Sequence, residues 1–458
     1  MAKYFGTDGV RGVANRELTP ELAFWLARAG AYVLTKDSTH TPKILLGKDG
    51  RRSGDMLEAA LTAGLCSIGV DVYHGGVIPT PAVAYLVQKY QMDAGIMISA
   101  SHNPMEDNGI KFFTRDGCKL DDDTEAEIES LINHGGNDNL PRPEGAGVGT
   151  ANPCPNAAAD YAAFLISTVP NLRLDGLNVA LDCANGATSA IAPIVFEKLG
   201  AKVHTLSNKP DGANINAGCG STHINHLAQY VAAQKVDIGL AFDGDGDRML
   251  AVDENGNALD GDSVLAICGL NLHERGQLAK STLVATSMSN QGLELFCNKN
   301  NITLFRTDVG DRYVLEKMLA DDLTLGGEQS GHYIFRQFCT TGDGILAGLQ
   351  LMATMARKNQ PLSVLSSAME TFPQVLVNVI VPNHRKKELK THDKIKAHQA
   401  QIENQLAGEG RILVRPSGTE PLVRVMIEGR DVDEINRLAA DLAKTIEGCM
   451  KETNSNAE

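Results

Sequence analysis

Residues 43–100 read KILLGKDGRRSGDMLEAALTAGLCSIGVDVYHGGVIPTPAVAYLVQKYQMDAGIMISA. KILLG at 43–47 is a short apolar run of strand length. DMLEAALTAGLCSIG at 55–69 carries its apolar residues on one helical face. VDVYHG then suits a strand, TPAVAYLVQKY a helix, and AGIMISA a strand buried on both faces. This βαβ alternation predicts an α/β fold, with a mostly parallel sheet covered by helices.

The pattern repeats downstream. LNVALDC, KVHTL and VDIGLAF suit strands, and SAIAPIVFEKLG and HINHLAQYVAAQ suit helices. A third block has DSVLAICGLNLHER and ILAGLQLMATMARK as helices and TLVATSM as a strand. No fixed-period repeat accompanies this, so a solenoid is excluded. The Pro/Gly/Asn-rich stretch at 135–156 suits a linker. The last 90 or so residues change character. TFPQVLVNVIVP and RILVRPSGTEPLVRVMIEG suit strands, IKAHQAQIENQLAG and VDEINRLAADLAKTIEGCM helices, and KETNSNAE a frayed polar tail. The expected organisation is three similar mixed α/β domains, at 1–150, 151–255 and 256–368, and a C-terminal α+β domain at 369–458.

The 458 residues are enough for several cores, so no disulfide or metal staple is needed to fold. The formal net charge is −14 with no polybasic block, and Trp25 is the only Trp. Both facts argue against a nucleic-acid binder. Nine cysteines lie scattered with no C-x-x-C pair, which suits thiols in a reducing cytosol and excludes a zinc knuckle. MAKYFGTDGVRG lacks the apolar core of a signal peptide, and no long apolar segment suggests a membrane span. A cytoplasmic protein is expected. The 45 glycines exceed an ordinary share of about 7% and gather in polar loops, where backbone can approach a ligand closely.

Five of those loops could carry chemistry. DGDGD places Asp243, Asp245 and Asp247 at every second position, with Gly244 and Gly246 letting the chain curl. Three carboxylates this close need a cation, and hard oxygen ligands suit Mg²⁺. An EF-hand is rejected because Arg248 stands where its glycine belongs and the flanks look like strands. SASHNP at 99–104 follows a buried strand, and Ser101, beside His102 and Asn103, is the candidate nucleophile. Without a G-x-S-x-G elbow, acyl transfer fits poorly. A serine beside a metal site can instead carry a phosphoryl group. RPSGTEP at 415–421 offers the Arg415 fork, the hydroxyls of Ser417 and Thr419, and the exposed backbone of Gly418, which together suit a phosphate. GGEQSGHYIF places Glu328, Ser330 and His332 at alternate positions, on one face if the segment is extended. GTDGVRG sets Arg11 in a glycine-flanked loop. No Walker A or Rossmann fingerprint occurs, which argues against an NTPase or an NAD enzyme.

Together these segments resemble the α-D-phosphohexomutase superfamily across essentially the whole chain, with SASHNP, DGDGD, GEQSGH and RPSGTEP in the family's order. FGTDGVRG and GEQSGH look most like its bacterial phosphoglucosamine mutase branch. The resemblance implies a heart-shaped, four-domain protein around a central cleft. Closure of the fourth domain over the cleft is a separate expectation, as the means of keeping water from a phosphorylated serine. The resemblance also implies that Ser101 is phosphorylated and that Asp243, Asp245 and Asp247 hold one Mg²⁺ with it. Glu328 and Ser330 would contact sugar hydroxyls, with His102 also among the substrate contacts. Arg415, Ser417, Gly418 and Thr419 would hold the non-reacting phosphate. Arg11, Lys111 and His332 would line the reacting centre. The implied reaction interconverts glucosamine 6-phosphate and glucosamine 1-phosphate through glucosamine 1,6-bisphosphate, which supplies UDP-N-acetylglucosamine and cell-wall precursors. The expected ligand is a small phosphosugar, with neither nucleic acid nor membrane as partner, and a homodimer is compatible with the sequence. Alternatives are a phosphomannomutase/phosphoglucomutase, a metal-dependent sugar phosphatase and a catalytically idle sugar-phosphate binder.

Overall fold

The computed structural model describes residues 3–6, 8–133, 140–416 and 421–451. It divides into two compact units. One comprises Met1–Met288 with Asn300–Ala368, and the other Ser289–Lys299 with Met369–Glu458.

The first unit holds three sheets. The first sheet contains β1 (Phe5–Gly6), β2 (Gly9–Val13), β3 (Lys43–Lys48), β4 (Asp71–Val77), β5 (Ala94–Ile98), β6 (Asp107–Thr114) and β7 (Ala151–Pro153), in the order β1-β2-β6-β5-β3-β4-β7. The second contains β8 (Asn178–Asp182), β9 (Lys202–Leu206), β10 (Ile238–Phe242), β11 (Met249–Val252) and β12 (Ala258–Leu259), in the order β12-β11-β10-β8-β9. The third contains β13 (Thr282–Thr286), β14 (Thr303–Thr307), β15 (Leu325–Gly327) and β16 (Tyr333–Phe335), in the order β14-β13-β15-β16.

One four-strand pattern recurs in all three: β6-β5-β3-β4, β11-β10-β8-β9 and β16-β15-β13-β14. Three of its strands run parallel and the outermost turns back antiparallel. The sheets are therefore mixed, as expected of the three similar domains; the βαβ alternation alone, which predicts a mostly parallel sheet, misses the reversed strand. The reason is loop length. Only residues 99–106, 243–248 and 328–332 separate the last two strands of each pattern. A parallel crossover needs a dozen residues or more, so each short loop forces a reversal. β5 (AGIMI) and β10 (IGLAF) are buried at every position, as continuous apolar runs in covered strands should be.

The expected linker at 135–156 is partly structured. Residues 134–139 lie outside the described residues, but Ala151–Pro153 adds a parallel edge strand to β4. Pro153 is tolerated there because an edge strand can spare a donor.

The second unit has an antiparallel sheet, β17 (Gln374–Ile380), β18 (Gly410–Pro416) and β19 (Leu422–Gly429), with β19 central. Val379, Val423, Val425 and Ile427 share a core with Ile395 and Ile402 of the Asp393–Leu406 helix and Ile435, Leu442 and Ile446 of the Val432–Lys451 helix. This is the α+β architecture expected of the C-terminal segment. The Gln291–Lys299 helix belongs to the same unit, tied in by the Asn290 amide, which bonds both the N–H and the C=O of Phe372 at 2.9 Å. The expected frayed tail lies, from residue 452 onward, outside the described residues. No described helix is long and apolar enough to cross a membrane.

Candidate active site

Each reversal loop of the first unit carries one of the motifs. At the end of β5 the chain turns through Ser99, Ala100 and Ser101, all buried. Ser101 has φ +53, a left-handed conformation strained for a residue with a side chain. Its Oγ donates to Asp243 Oδ2 at 2.6 Å and lies 3.3 Å from His102 Nδ1.

Asp243, Asp245 and Asp247 line the turn from β10 to β11. All three are buried, and one carboxylate oxygen of each lies within 4.8 Å of the others. Gly246 (φ +71) makes the curl, and Gly244 lets it meet the serine loop: a Cβ on Gly244 would stand 2.6 Å from the Ser101 carbonyl oxygen. Thr80 fixes Asp245, its Oγ1 donating to Oδ2 at 2.6 Å and its N–H to the backbone carbonyl at 2.9 Å. Among the described residues, Asp245 Oδ1 and Asp247 Oδ1 are buried without a hydrogen-bond partner. Two orphaned buried carboxylate oxygens are costly unless a cation meets them, so this loop fits a hard divalent metal. Burial pushes the Asp243 carboxyl well above its ordinary range, and the charges of Asp247 and Asp245 push the same way. Burial acts likewise on Asp247, but Lys111, His332 and Arg248 outweigh it and hold that carboxyl low.

The cations come from neighbouring strands. Lys111, on β6, is fully buried. Its Nζ lies 2.8 Å from Asp245 Oδ2, 2.9 Å from Asp8 Oδ2 and 3.6 Å from Asp247 Oδ2. Burial opposes the charge on Lys111, but Asp245, Asp8 and Asp247 overcome it and raise the affinity for the proton. Arg11 is not in a loop, contrary to expectation. It lies on β2, opposite Gly109 of β6, and pairs with Asp8. Its glycine neighbours suggested a turn, but they permit a closely packed strand instead, since a Cβ on Gly9 would strike the Ile110 carbonyl.

The GEQSGH segment also departs from the extended reading. It is a tight turn between β15 and β16, closed by Glu328 N–H to His332 O (2.9 Å) and Gly331 N–H to Glu328 O (3.0 Å), with Gly331 at φ +93. The three side chains therefore do not share one strand face. Glu328 is half-buried, Ser330 exposed and His332 buried. An isolated antiparallel bridge joins His332 to Arg248, so this loop abuts the aspartate loop. His332 lies 3.8 Å from Asp247 through Nδ1 and 3.3 Å from Asp311 through Nε2. Burial lowers its affinity for a proton, and Asp311 and Asp247 more than restore it. His102 is the opposite case: burial, then Arg248 and Arg11, lower its pKa to about 4, so it is neutral at neutral pH.

The fourth motif lies in the second unit. Arg415, next to the end of β18, stands directly opposite Arg424 of β19. Burial, followed by that second guanidinium, weakens its hold on the proton. Facing like charges on a sheet are unfavourable unless an anion joins them. Ser417, Gly418 and Thr419 lie outside the described residues.

Several residues escaped the sequence reading. Asp8 joins Arg11, Lys111 and Lys119. Lys119 Nζ also reaches Asp311 Oδ2 at 2.6 Å, and Arg248 donates its N–H to Asp243 Oδ1 at 3.1 Å. Asp8 sat inside the quoted GTDGVRG, and Arg248, the residue directly after DGDGD, was weighed only against an EF-hand. Nothing local marks Lys119, Asp311 or Thr80, whose roles depend on which strands and helices become neighbours.

Four family models match in chain order. They describe phosphoglucomutase/phosphomannomutase alpha/beta/alpha domain I (residues 2–139), domain II (159–256), domain III (260–372) and the C-terminal domain (376–445). A phosphoglucosamine mutase from Ruminiclostridium cellulolyticum is 54% identical over 448 residues, spanning 98% of this chain and 99% of the relative. One from Acetivibrio thermocellus is 53% identical over 447 residues, with the same coverage of 98% and 99%. Among solved structures, a phosphoglucomutase/phosphomannomutase family protein from Burkholderia thailandensis superposes with TM-score 0.80 at 23% identity, covering 99% of this chain and 98% of that one. The N-acetylphosphoglucosamine mutase of Aspergillus fumigatus, in complex with GlcNAc-6P and magnesium, gives 0.69 at 16% identity, covering 98% and 96%. With its motifs in order and relatives matched end to end, the chain belongs to the phosphoglucomutase/phosphomannomutase family.

Proposed function

We propose that this chain is a phosphoglucosamine mutase, interconverting glucosamine 6-phosphate and glucosamine 1-phosphate through a phosphorylated Ser101. The observation that carries this reading is the buried Ser101 hydroxyl, 2.6 Å from Asp243 within a three-aspartate set that Lys111 only partly neutralises. Full-length relatives bearing that name support the substrate.

The free hydroxyl of the sugar phosphate attacks the phosphorus on Ser101. The new O–P bond forms as the P–Oγ bond breaks, and the electron pair leaves with Oγ. The product, glucosamine 1,6-bisphosphate, turns over and returns its other phosphoryl group to Ser101. Asp243, Asp245, Asp247 and the Ser101 side chain would hold one Mg²⁺, which supplies Lewis-acid charge neutralisation when bound. Lys111, Arg11 and His332 line the reacting centre, where they offset the remaining charge and help move the proton of the attacking hydroxyl. Glu328, Ser330 and His102 contact the sugar. Arg415, Ser417, Gly418 and Thr419 hold the phosphate that does not react. The same proposal assigns the serine to a domain at 1–150, the metal loop to 151–255, the sugar loop to 256–368 and the phosphate loop to 369–458. It sets the reaction in the cytoplasm, on small phosphosugars, feeding amino-sugar and cell-wall precursor synthesis.

The test joins intact-protein mass spectrometry to a coupled assay on glucosamine 6-phosphate, with and without chelator. A mass about 80 Da above the unmodified chain, mapping to Ser101, with chelator-sensitive formation of 1-phosphate, is expected. Free phosphate as the main product would indicate a sugar phosphatase instead. Faster turnover of glucose or mannose phosphates would point to the phosphoglucomutase/phosphomannomutase alternative.

A further inference from the structure

Behind Ser101 lies a closed ring of hydrogen bonds. The Ser101 N–H donates to Ser99 Oγ at 2.9 Å, and Ser99 Oγ donates to Asp49 Oδ2 at 2.6 Å. The same Asp49 oxygen accepts from Arg51 Nε at 2.9 Å, and Arg51 Nη2 donates to the Ser101 carbonyl at 3.0 Å. The ring therefore begins and ends on the two peptide groups that flank one Cα.

Strand order explains how the ring assembles. β3 and β5 are parallel neighbours, and Asp49 and Ser99 each follow the last residue of one of them. The Asp49 N–H bonds the Ile98 carbonyl at 3.1 Å, which fixes the register. Arg51 then spends every donor it has. Besides Asp49 and Ser101, it serves the carbonyls of Asn103 (2.9 Å), Asp107 (3.0 Å) and Pro104. Five N–H groups meet five acceptors, and the Arg51 and Asp49 side chains are both 0% exposed. From the β9–β10 connection, Asn216 Nδ2 reaches the same Ser101 and Asn103 carbonyls at 2.9 and 3.0 Å.

A buried guanidinium with no spare donor specifies geometry, because any other position of the loop strands a polar group. Here it holds Ser101 in a left-handed conformation that an unrestrained serine would leave. We propose that Asp49, Arg51 and Ser99 are positioning residues for phosphoryl transfer, fixing the peptide planes around Ser101 so that Oγ returns to one point against Asp243 after each half-reaction. The inference rests on the mutase reading above, and none of the three residues is assigned a contact with substrate.

Ser99→Ala tests it, since that change opens the ring while leaving all five Arg51 bonds in place. Expected are a kcat about 10- to 100-fold lower, KM for glucosamine 6-phosphate within about twofold, and an unfolding temperature close to wild type. Hydrogen exchange at the Ser101 amide should rise about tenfold while β3 and β5 stay protected. Arg51→Lys keeps the charge beside Asp49 but brings three donors to five acceptors, so it should show the same split of kcat from KM. Wild-type kcat in both variants, a change confined to KM, or exchange that rises across the whole sheet overturns the inference. So does failure of both variants to fold, which would make the ring a folding element only. Wild-type protein lacking phosphate on Ser101 and mutase turnover would sink the mutase reading instead, and the exchange measurement tells the two failures apart.

Discussion

Ser101 Oγ donates a 2.6 Å hydrogen bond to Asp243 Oδ2, and the two residues follow central strands of two different sheets. The candidate nucleophile and the candidate metal loop are thus presented by separate sheets that meet at one buried point. Ser101→Ala should lower mutase turnover by at least about 10³-fold, because a covalent step has no partial substitute. Asp243→Asn should abolish both turnover and the rise in unfolding temperature that Mg²⁺ gives the wild type. Thermal scans with and without Mg²⁺, beside the coupled assay, check both.

The two loops meet through a glycine. A methyl on Gly244 would sit 2.6 Å from the Ser101 carbonyl and 2.8 Å from Ile215 Cδ1, and the first of these is backbone that the Arg51 ring holds. Gly244→Ala should therefore push the aspartates away from the serine and cost about 10²-fold in kcat. Turnover within threefold of wild type would show that the loops tolerate separation.

Asp343 caps the Gly344–Lys358 helix, accepting from Leu346 N–H at 2.9 Å and from Tyr161 Oη at 2.7 Å. Burial nevertheless pushes its pKa up to about 6. Its unfolded value is about 3.9, so the native state binds the proton more tightly. Stability from this group is present in full below about pH 4 and is lost as pH rises through about 6. Asp343→Asn keeps a good cap but cannot ionise. Between pH 4.5 and 8, stability of the variant relative to wild type should improve by about 2–3 kcal/mol. Paired melts at both pH values read this directly, and a constant difference would refute it.

Arg415 faces Arg424 across the β18–β19 register. With Arg415 holding the non-reacting phosphate, Arg415→Ala removes binding that ground state and transition state share. KM should rise about 10- to 100-fold with a smaller change in kcat. Steady-state kinetics on glucosamine 6-phosphate measure the split, and an unchanged KM would move the phosphate site elsewhere.

Much of this was legible in the sequence because it is local. Apolar runs such as AGIMI and IGLAF marked the covered strands. The paired glycines of DGDGD announced a curl of three carboxylates, and SASHNP marked a hydroxyl at a strand end. Readings failed where local pattern was ambiguous. GEQSGH alternates like a strand but closes as a turn, because Glu328 and His332 bond each other across five residues. Arg11 looked like a loop residue, but its neighbouring glycines serve close strand packing.

The repeated α/β architecture, the family motifs and the candidate serine and metal loops were all readable from local sequence, since hydrophobic periodicity and short glycine-rich motifs act over a few residues. Which distant side chains complete the site depended on the chain's fold in three dimensions. Arg51 and Asn216 reach the serine loop, Thr80 and Lys111 reach Asp245, and Lys119 reaches Asp311, each across tens to hundreds of residues. Those pairings depend on strand order and loop reversal. A buried charge or amide finds its partner only once the sheets have formed and water has been excluded.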